Sequence, residues 1–320
     1  MFDFKKEDIE NAVKIVNKFV QPTALHCWPL LSARVGCEVW VKHENQTPTG
    51  AFKVRGGINL LHRLCRENSS LRGLITATRG NHGQSISFAG KRFDIPVTII
   101  VPEGNSADQN RSIEAHGAKL IIHGKNFEEA RQYSKNMQDE LGLRYVDAFE
   151  LDLAVGVATY ALEMMQAIPD FDRIYVPVGM GSGIVGLIKT RDLLGLKTEI
   201  VGVVSAGAPA WKISFDQGKI SPIFDVNTIA DGIATSVPPD EAFEVVKNGA
   251  QRIISVSDNE VAKAVGYYYI DTHNLAETAS SAALAGLMKE SGVNRGKKIG
   301  IIMTGSNIDQ SLLLKCLEQN

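Results

Sequence analysis

The chain has 320 residues, and its 34 Lys and Arg residues nearly balance its 36 Asp and Glu residues. Hydrophobic residues make up 44% of the chain, which is ordinary for a soluble globular protein of one large or two average domains. The charge balance argues against a nucleic-acid-binding protein, and no apolar run approaches the roughly 20 residues that span a bilayer, so we expect a cytoplasmic enzyme.

Short β-rich runs alternate with helical patterns along most of the chain. The candidate strands are Cys37–His43, Gly73–Thr78, Pro96–Val101, Lys119–His123, Arg173–Val178, Glu199–Ser205, Arg252–Val256 and Lys298–Thr304. Continuous apolar runs such as VTIIV and IGIIM are typical of strands buried on both faces of a parallel sheet. The clearest helical patterns are Phe127–Leu141, Ala154–Ala167, Val261–Thr272, Ser280–Glu290 and Gln310–Gln319. We therefore expect an α/β fold built from right-handed βαβ units.

The alternation also predicts two domains, although no low-complexity linker or internal repeat divides the chain. Residues 70–148 form a small unit of alternating strands and helices. Residues 1–65 and 149–320 would then form a larger, discontinuous domain.

The cysteines and histidines give no indication of a metal site. Cys27, Cys37, Cys65 and Cys316 form no CxxC pair and have no regular spacing, so we expect reduced thiols rather than a disulfide framework. The seven histidines include no HExxH pattern. No metal is expected.

Four strand-to-helix turns have unusual compositions, and ligands of open parallel sheets bind at such turns. In the first turn, ENQTPTGAFKVRGG, Lys53 stands beside Phe52 at the start of a helix, where the helix dipole lowers the pKa of a cation. A lysine that forms a Schiff base needs a lowered pKa, because only the neutral amine attacks an aldehyde. A solvated surface lysine would show the same pattern.

The second turn is TATRGNHGQS, after the strand GLITAT. Gly80 and Gly83 allow close backbone approach, and Asn81 with nearby N–H groups can hold an anion or a ring oxygen. Alternatively, Asn81 merely caps the helix and His82 is a structural histidine.

The third turn, VGMGSGIVG, is typical of a loop that binds phosphate through backbone N–H groups at a helix N-terminus. It contains GxGxxG at Gly181, Gly183 and Gly186. A dinucleotide site would also need an acid at the end of the next strand, but the acid of that strand, Glu199, lies at its start. A single phosphate therefore fits better than NAD.

The fourth turn, MTGSNID, ends the last strand and can present the neutral hydroxyl of Thr304. Ser306 or Asn307 could equally cap a helix there. Taken together, a lysine for an imine, an asparagine for a ring oxygen, a phosphate loop and a neutral hydroxyl describe a pyridoxal phosphate site.

The segments AFKVRGG, TRGNHGQS, VGMGSG and TGSNID, in that order and spacing, resemble the motifs of the tryptophan-synthase-β-like pyridoxal phosphate enzymes of fold type II. The resemblance covers essentially the whole chain, and GNHGQ favours the serine/threonine dehydratase and serine racemase branch. It implies two open, mostly parallel, three-layer α/β domains and a homodimer. The implied reaction converts a β-hydroxy amino acid such as L-threonine or L-serine to a 2-oxo acid and ammonia.

The resemblance also implies roles for individual residues. Lys53 would form the imine with the cofactor and then remove the substrate Cα proton, while Phe52 packs against the cofactor ring. Asn81 would bind the ring 3-oxygen, and Thr304 would face the pyridine nitrogen, with Glu277 near that side. The phosphate would be bound by Gly179, Met180, Gly181, Ser182 and Gly183, and the substrate carboxylate by the loop of Thr78, Arg79, Gly80 and His82.

Arg79 departs from the family pattern, because racemases carry a serine base at that position. A guanidinium cannot readily exchange a proton near neutral pH, so an efficient racemase is not expected. Arg79 either turns outward and pairs with a nearby acid, or it binds a second carboxylate on the substrate, which would favour 3-hydroxyaspartate. The segment 205–209, SAGAP, replaces the acidic loop of the family's divalent-cation site, so no structural metal is expected.

Other functions stay open from the sequence. A phenylserine dehydratase, a racemase or a β-replacement enzyme could have the same fold, and a non-catalytic binding protein or a dehydrogenase could use an α/β scaffold. Lys53 distinguishes a pyridoxal phosphate enzyme from the binding protein and the dehydrogenase, because neither of these needs a lysine that borohydride can trap onto a cofactor. Since the chain ends one helix after TGSNID, no C-terminal regulatory domain is expected.

Overall fold

The computed structural model describes residues 4–68 and 70–319. Residues 1–3 and 320, which the predicted domain bounds include, lie outside the described residues. None of the described helices is long and apolar enough to cross a membrane.

Strands and helices alternate as the sequence predicts. The strands are β1 (Leu25–Cys27), β2 (Glu38–His43), β3 (Leu74–Ala77), β4 (Val97–Val101), β5 (Lys119–Ile122), β6 (Arg144–Tyr145), β7 (Arg173–Pro177), β8 (Glu199–Ser205), β9 (Arg252–Val256) and β10 (Lys298–Met303). The helices are α1 (Lys6–Val16), α2 (Pro29–Val35), α3 (Lys53–Glu67), α4 (Asn81–Arg92), α5 (Ala107–Ala115), α6 (Phe127–Leu141), α7 (Leu151–Ala167), α8 (Ser182–Leu193), α9 (Ala210–Gln217), α10 (Asp240–Gly249), α11 (Asp258–Thr272), α12 (Thr278–Lys289), α13 (Ser291–Asn294) and α14 (Gln310–Leu317).

A six-stranded sheet has the order β1-β2-β10-β7-β8-β9 and is parallel except for β1, which pairs antiparallel with β2. Helices cover both faces, with α1, α7, α8 and α10 on one side and α2, α11 and α12 on the other. Burial on both faces is the reason that β7 and β10 are almost continuous apolar runs.

A four-stranded parallel sheet has the order β5-β4-β3-β6. Its side chains alternate between two cores, as strand geometry requires. Leu74 and Ile99 pack towards α3 and α4, whereas Ile75 and Ile100 pack towards α6. Both sheets therefore lie between layers of helices, and the α/β fold with open parallel sheets is confirmed.

The structure differs from the sequence analysis mainly at helix starts. Helix α11 begins three residues before the predicted Val261, where Ser257 and Glu260 form a capping box. Helix α7 likewise begins at Leu151 rather than Ala154. The first turn of α11 is polar and carries no apolar periodicity, so the pattern alone places the start of that helix too late. The antiparallel strand β1 was not predicted, because three residues are too few to show alternation.

Candidate active site

The first and fourth motifs meet at the carboxyl end of the six-stranded sheet. Strands β2 and β10 are parallel neighbours, so the turns that follow them lie side by side. The N–H of Phe52 donates to the carbonyl of Thr304 (2.9 Å), and Ala51 forms an antiparallel bridge with Gly305. This pairing fixes the first residue of α3, Lys53, beside the fourth motif.

Lys53 is half-buried, and its Nζ lies 5.2 Å from the centre of the Phe52 ring. Burial lowers the pKa of Lys53 to about 8, against the attraction of the Glu277 carboxylate, which raises it. A free lysine has a pKa near 10.4, so this amine is neutral far more often than usual close to physiological pH. It can therefore act as a nucleophile or a base.

Glu277 precedes α12 and lies within the same site. It is only 7% exposed, and its two carboxylate oxygens accept from Nδ2 of Asn81 at 2.8 and 3.0 Å. Burial raises the pKa of Glu277 to about 7, although Asn81 and Lys53 oppose this shift. The second motif therefore lies next to the first and the fourth, because Asn81 contacts Glu277 within the same site.

The second motif is a tight turn at the N-terminus of α4. Thr78 is buried, and its Oγ1 accepts from the N–H groups of Gly80 and Gly83 at 3.0 and 3.4 Å. A Cβ on Gly80 would lie 2.7 Å from Oε1 of Gln109, so a side chain there would require Gln109 to move. The backbone of Gly80 is thus closely approached by a neighbouring side chain.

His82 is buried and is held neutral. Burial, together with the nearby Lys53, lowers the pKa of His82 to about 3, while a hydrogen bond to the carbonyl of Val146 opposes the shift. Its Nε2 is buried and has no hydrogen-bond partner among the described residues. An orphaned buried polar atom is uncommon, and a bound ligand is one way to satisfy it.

The third motif connects β7 to α8. Gly181 precedes α8 with a φ of +99°, a left-handed conformation that favours glycine. Nε1 of Trp211 donates to the carbonyl of Gly179 (2.6 Å), and the hydroxyl of Tyr160 donates to that of Gly183 (3.2 Å). With its carbonyls held this way, the loop can offer the N–H groups of the α8 N-terminus to an anion.

The glycine loop lies next to the other motifs. A Cβ on Gly183 would lie 3.8 Å from the Phe52 ring, and Phe52 packs edge-to-face on Tyr160 at 6.1 Å. Ser182 is buried, and Met180 is half-buried, with its sulfur 4.0 Å from Oγ1 of Thr235. The four motifs therefore surround one region at the ends of the strands.

Arg79 lies on the outer side of the second motif. Its guanidinium is 4.0 Å from a carboxylate oxygen of Asp231, and both side chains are about half exposed. This is the outward geometry with a nearby acid that the sequence left as one of two alternatives. The contact is long and solvated, so it holds Arg79 only weakly.

These residues fit pyridoxal phosphate. A desolvated amine suits the aldehyde, a helix N-terminus with a left-handed glycine suits the phosphate, and Asn81 and Thr304 supply polar groups for the ring. Thr304 is buried at the end of β10. Among the described residues, no group of three or more His, Cys, Asp or Glu side chains could hold a metal ion.

Several residues of the site escaped the sequence analysis as functional candidates. Asn307 contacts Asn81 but was noted only as a possible helix cap. Ser85 donates to the carbonyl of Lys53 at 2.5 Å, and Tyr160 belongs to an apolar helix. A side chain that holds a loop by one hydrogen bond has no local sequence signature, so only Asn307 and Ser85, which lie inside motifs, could have been found.

Comparison with known proteins identifies the family. The sequence profile described as pyridoxal-phosphate dependent enzyme matches residues 16–305. The chain belongs to this family. Its cofactor is therefore pyridoxal phosphate, as the four motifs indicated.

Named relatives of this pyridoxal-phosphate dependent enzyme include two ammonia-lyases. The L-threonine ammonia-lyase of Thermotoga maritima is 32% identical over 308 residues, which cover 96% of this chain and 76% of the relative. The L-threo-3-hydroxyaspartate ammonia-lyase of Saccharomyces cerevisiae is 28% identical, covering 94% of this chain and 93% of the relative. The solved structure of maize serine racemase has a TM-score of 0.91 at 26% identity, covering 98% of this chain and 97% of that one.

Proposed function

We propose that the chain is an ammonia-lyase acting on a β-hydroxy amino acid such as L-serine or L-threonine, with a 2-oxo acid and ammonia as products. The observation that carries the proposal is the desolvated Lys53 amine at the meeting point of the four motifs. The similarity of the chain to the L-threonine ammonia-lyase of Thermotoga maritima supports the reaction type and the substrate class.

We assign the cofactor contacts as the motifs suggest. Lys53 would link to the aldehyde, Phe52 would pack on the ring, Asn81 would donate to the 3-oxygen, and Thr304 would face the ring nitrogen with Glu277 nearby. The N–H groups of Gly179, Met180, Gly181, Ser182 and Gly183 would hold the phosphate. Thr78, Gly80 and His82 at the N-terminus of α4 would bind the substrate carboxylate, with Arg79 at the rim.

The bound cofactor supplies an electron sink for the negative charge that develops at the substrate Cα. Lys53 would remove the Cα proton, and its lowered pKa makes the neutral amine available for this step. The β-hydroxyl would leave as water with the proton that Lys53 took up, and the resulting enamine would tautomerise to an imine whose hydrolysis gives the 2-oxo acid and ammonia. The hydroxyl of Thr304, unlike a carboxylate, would not favour a protonated ring nitrogen, which would limit competing transamination.

A second candidate substrate is 3-hydroxyaspartate. Arg79 is only weakly held by Asp231, so it can bind a second carboxylate on the substrate side chain. The similarity to the 3-hydroxyaspartate ammonia-lyase of Saccharomyces cerevisiae supports this alternative. Racemisation is less favoured despite the similarity to maize serine racemase, because an arginine at position 79 is a poor proton carrier.

We also propose that the two sheets belong to two domains with the predicted bounds, and that the chain forms a homodimer in the cytoplasm. Multi-angle light scattering on the purified holoenzyme tests the dimer, for which we expect about twice the 34.8 kDa of one chain.

The proposed function is tested by release of 2-oxo acid and ammonia from the cofactor-loaded protein. The substrates are L-serine, L-threonine, threo-3-hydroxyaspartate and phenylserine. We expect turnover of at least one of them by the unchanged protein and none by Lys53→Ala. Lys91→Ala, which removes a lysine from the exposed end of α4, should retain full activity.

Borohydride reduction complements the assay. It should fix the cofactor covalently to the unchanged protein and to Lys91→Ala but not to Lys53→Ala. No oxo acid from any of the four substrates would refute the ammonia-lyase assignment. Cofactor trapping at another lysine would refute the site.

A further inference from the structure

Asn307 lies behind Asn81, on the loop that follows β10. Its Nδ2 donates to Oδ1 of Asn81 (2.7 Å) and to the backbone carbonyl of Thr49 (2.8 Å). Its own carbonyl accepts from Nε2 of Gln109 (3.1 Å). Its Oδ1 lies close to the backbone of Gly50, where an added Cβ would be 2.7 Å away. Asn307 is therefore held on several sides.

These contacts determine which way the two amides point. A backbone carbonyl can only accept, so the Thr49 carbonyl forces the nitrogen of Asn307, not its oxygen, to face it. The second hydrogen on that nitrogen then requires Asn81 to present its oxygen. The nitrogen of Asn81 must consequently point the other way, towards the site, where it donates to Glu277.

We propose that Asn307 is a positioning residue that orients the Asn81 amide, so that its N–H group points at the 3-oxygen of the cofactor. The Thr49 carbonyl sets the orientation of the Asn307 amide, and the Asn307 amide sets the orientation of the Asn81 amide. The N–H of the Asn307 backbone also donates to the Glu277 carboxylate, so Asn307 contacts both the oxygen of Asn81 and the carboxylate that accepts from its nitrogen. This inference rests on the proposed assignment of Asn81 to the cofactor.

Asn307→Asp is the decisive change, because a carboxylate has nearly the same shape but cannot donate. It would face two acceptors, the Thr49 carbonyl and Oδ1 of Asn81, and it would favour a turned Asn81 amide whose oxygen points into the site. Asn307→Ser is a milder second variant that removes the contact with less repulsion. Ser306→Ala is the matched control on the same loop, since the Ser306 hydroxyl makes a single long hydrogen bond within the described chain, of 3.5 Å to the Gly50 carbonyl.

The probe is pyridoxine 5′-phosphate, which has the ring, the 3-hydroxyl and the phosphate but no aldehyde, so that binding is independent of Lys53 chemistry and of turnover. Its dissociation constant is measured with apoprotein by tryptophan fluorescence. We expect Asn307→Asp to weaken binding about 10- to 100-fold, Asn307→Ser and Asn81→Ala about 3- to 10-fold, and Ser306→Ala less than about 2-fold.

Two further comparisons separate orientation from general stability. In an Asn81→Ala background there is no amide to orient, so Asn307→Asp should weaken binding by less than about 2-fold more. With a probe that lacks the 3-hydroxyl, the Asn307 variants should bind as the unchanged protein does. If Asn307→Asp weakened probe binding equally in the Asn81→Ala background or with the probe that lacks the 3-hydroxyl, the orienting role of Asn307 would be wrong. The loss of affinity would then be a structural effect.

The same measurements distinguish a failure of this inference from a failure of the Asn81 assignment or of the proposed ammonia-lyase function. If Asn81→Ala binds both probes like the unchanged protein, the assignment of Asn81 to the 3-oxygen fails, and the orienting role of Asn307 fails with it. The ammonia-lyase function is judged independently, by the oxo-acid assay with Lys53→Ala. Circular dichroism of each apoprotein variant confirms that the fold is retained.

Discussion

At the scale of single residues, Lys53 and Glu277 stand out in the site because both are ionisable groups whose pKa values are shifted by burial and by each other. Burial lowers the pKa of the amine to about 8 and raises that of the carboxyl to about 7, while their mutual attraction opposes both shifts. Over the range between these values, the carboxylate is largely charged and still helps to retain the proton on Lys53. Glu277 thus limits how readily the amine becomes a nucleophile.

Glu277→Gln should therefore make Lys53 more reactive at lower pH. Removing the negative charge removes the attraction that raises the pKa of Lys53, so this pKa should fall below 8. The rate at which apoprotein captures pyridoxal phosphate covalently should rise with pH, with a midpoint near 8 in the unchanged protein. In Glu277→Gln the midpoint should move to lower pH.

Stopped-flow absorbance across pH 6 to 9.5 measures this midpoint. The same change at the exposed Glu103, on the loop after β4, serves as the control and should leave it in place. A midpoint that moves upward in Glu277→Gln would contradict the electrostatic account.

Arg79 and Asp231 offer a test of substrate choice. If Arg79 binds a second carboxylate, Arg79→Ser should lower the kcat/KM for threo-3-hydroxyaspartate relative to L-threonine by about 10-fold or more, the value of one charge-assisted hydrogen bond. Asp231→Asn removes the competing acid 4.0 Å away and should shift the ratio in the opposite direction. Identical ratios in all three proteins would eliminate 3-hydroxyaspartate recognition by Arg79.

At the scale of elements, α8 has a glycine near each of its two ends, and the surroundings of the two glycines differ. Gly181, at its start, has a φ of +99°, and a Cβ there would lie 3.0 Å from Ala242 and 3.1 Å from the Trp211 ring. Gly195, just beyond its end, has a φ of +66° with nothing within 4 Å of an added Cβ. The two glycines share the backbone conformation but differ in their surroundings.

Gly181→Ala and Gly195→Ala therefore form a matched pair. Each substitution costs about 1 kcal/mol for a left-handed alanine, but only Gly181→Ala also displaces packed side chains, at the proposed phosphate-binding end. We expect Gly195→Ala to lower the free energy of unfolding by about 1 kcal/mol and leave cofactor affinity unchanged. Gly181→Ala should be less stable still and bind pyridoxal phosphate at least about 10-fold more weakly.

Urea unfolding of the apoprotein and equilibrium dialysis of the cofactor measure the two quantities. Equal cofactor affinity in the two variants would show that the start of α8 does not hold the phosphate.

At the scale of the whole molecule, a buried ion network ties the helix of Lys53 to the body of the large sheet. Arg55 is fully buried on α3 and donates to both Glu44, after β2, and Glu163, on α7, at 2.7 to 3.1 Å. Lys42 on β2 also donates to Glu163 at 2.6 Å. Since Arg55 lies two residues after Lys53, this network fixes the height and rotation of the reactive end of α3.

Arg55→Leu should destabilise the protein strongly. It leaves the buried Glu44 carboxylate without its charged partner, a loss that typically costs about 3–5 kcal/mol. Arg63→Leu is the control on the same helix, because Arg63 is half exposed, and its ion pairs should be worth about 1 kcal/mol or less. Chemical denaturation of both variants measures the difference, and equal losses would contradict a stabilising role for the network.

The α/β class, most strand bounds and the four motifs could be predicted from the sequence, since these depend on neighbouring residues. Apolar runs reveal buried strands, and Gly181 and Lys53 stand out within short segments. The sequence could not provide the partners of those residues. Asn81 meets Glu277 and Asn307 across 196 and 226 residues of chain, and Arg79 meets Asp231 at the rim. Such contacts depend on strand order and on the packing of two sheets, which only the tertiary structure decides.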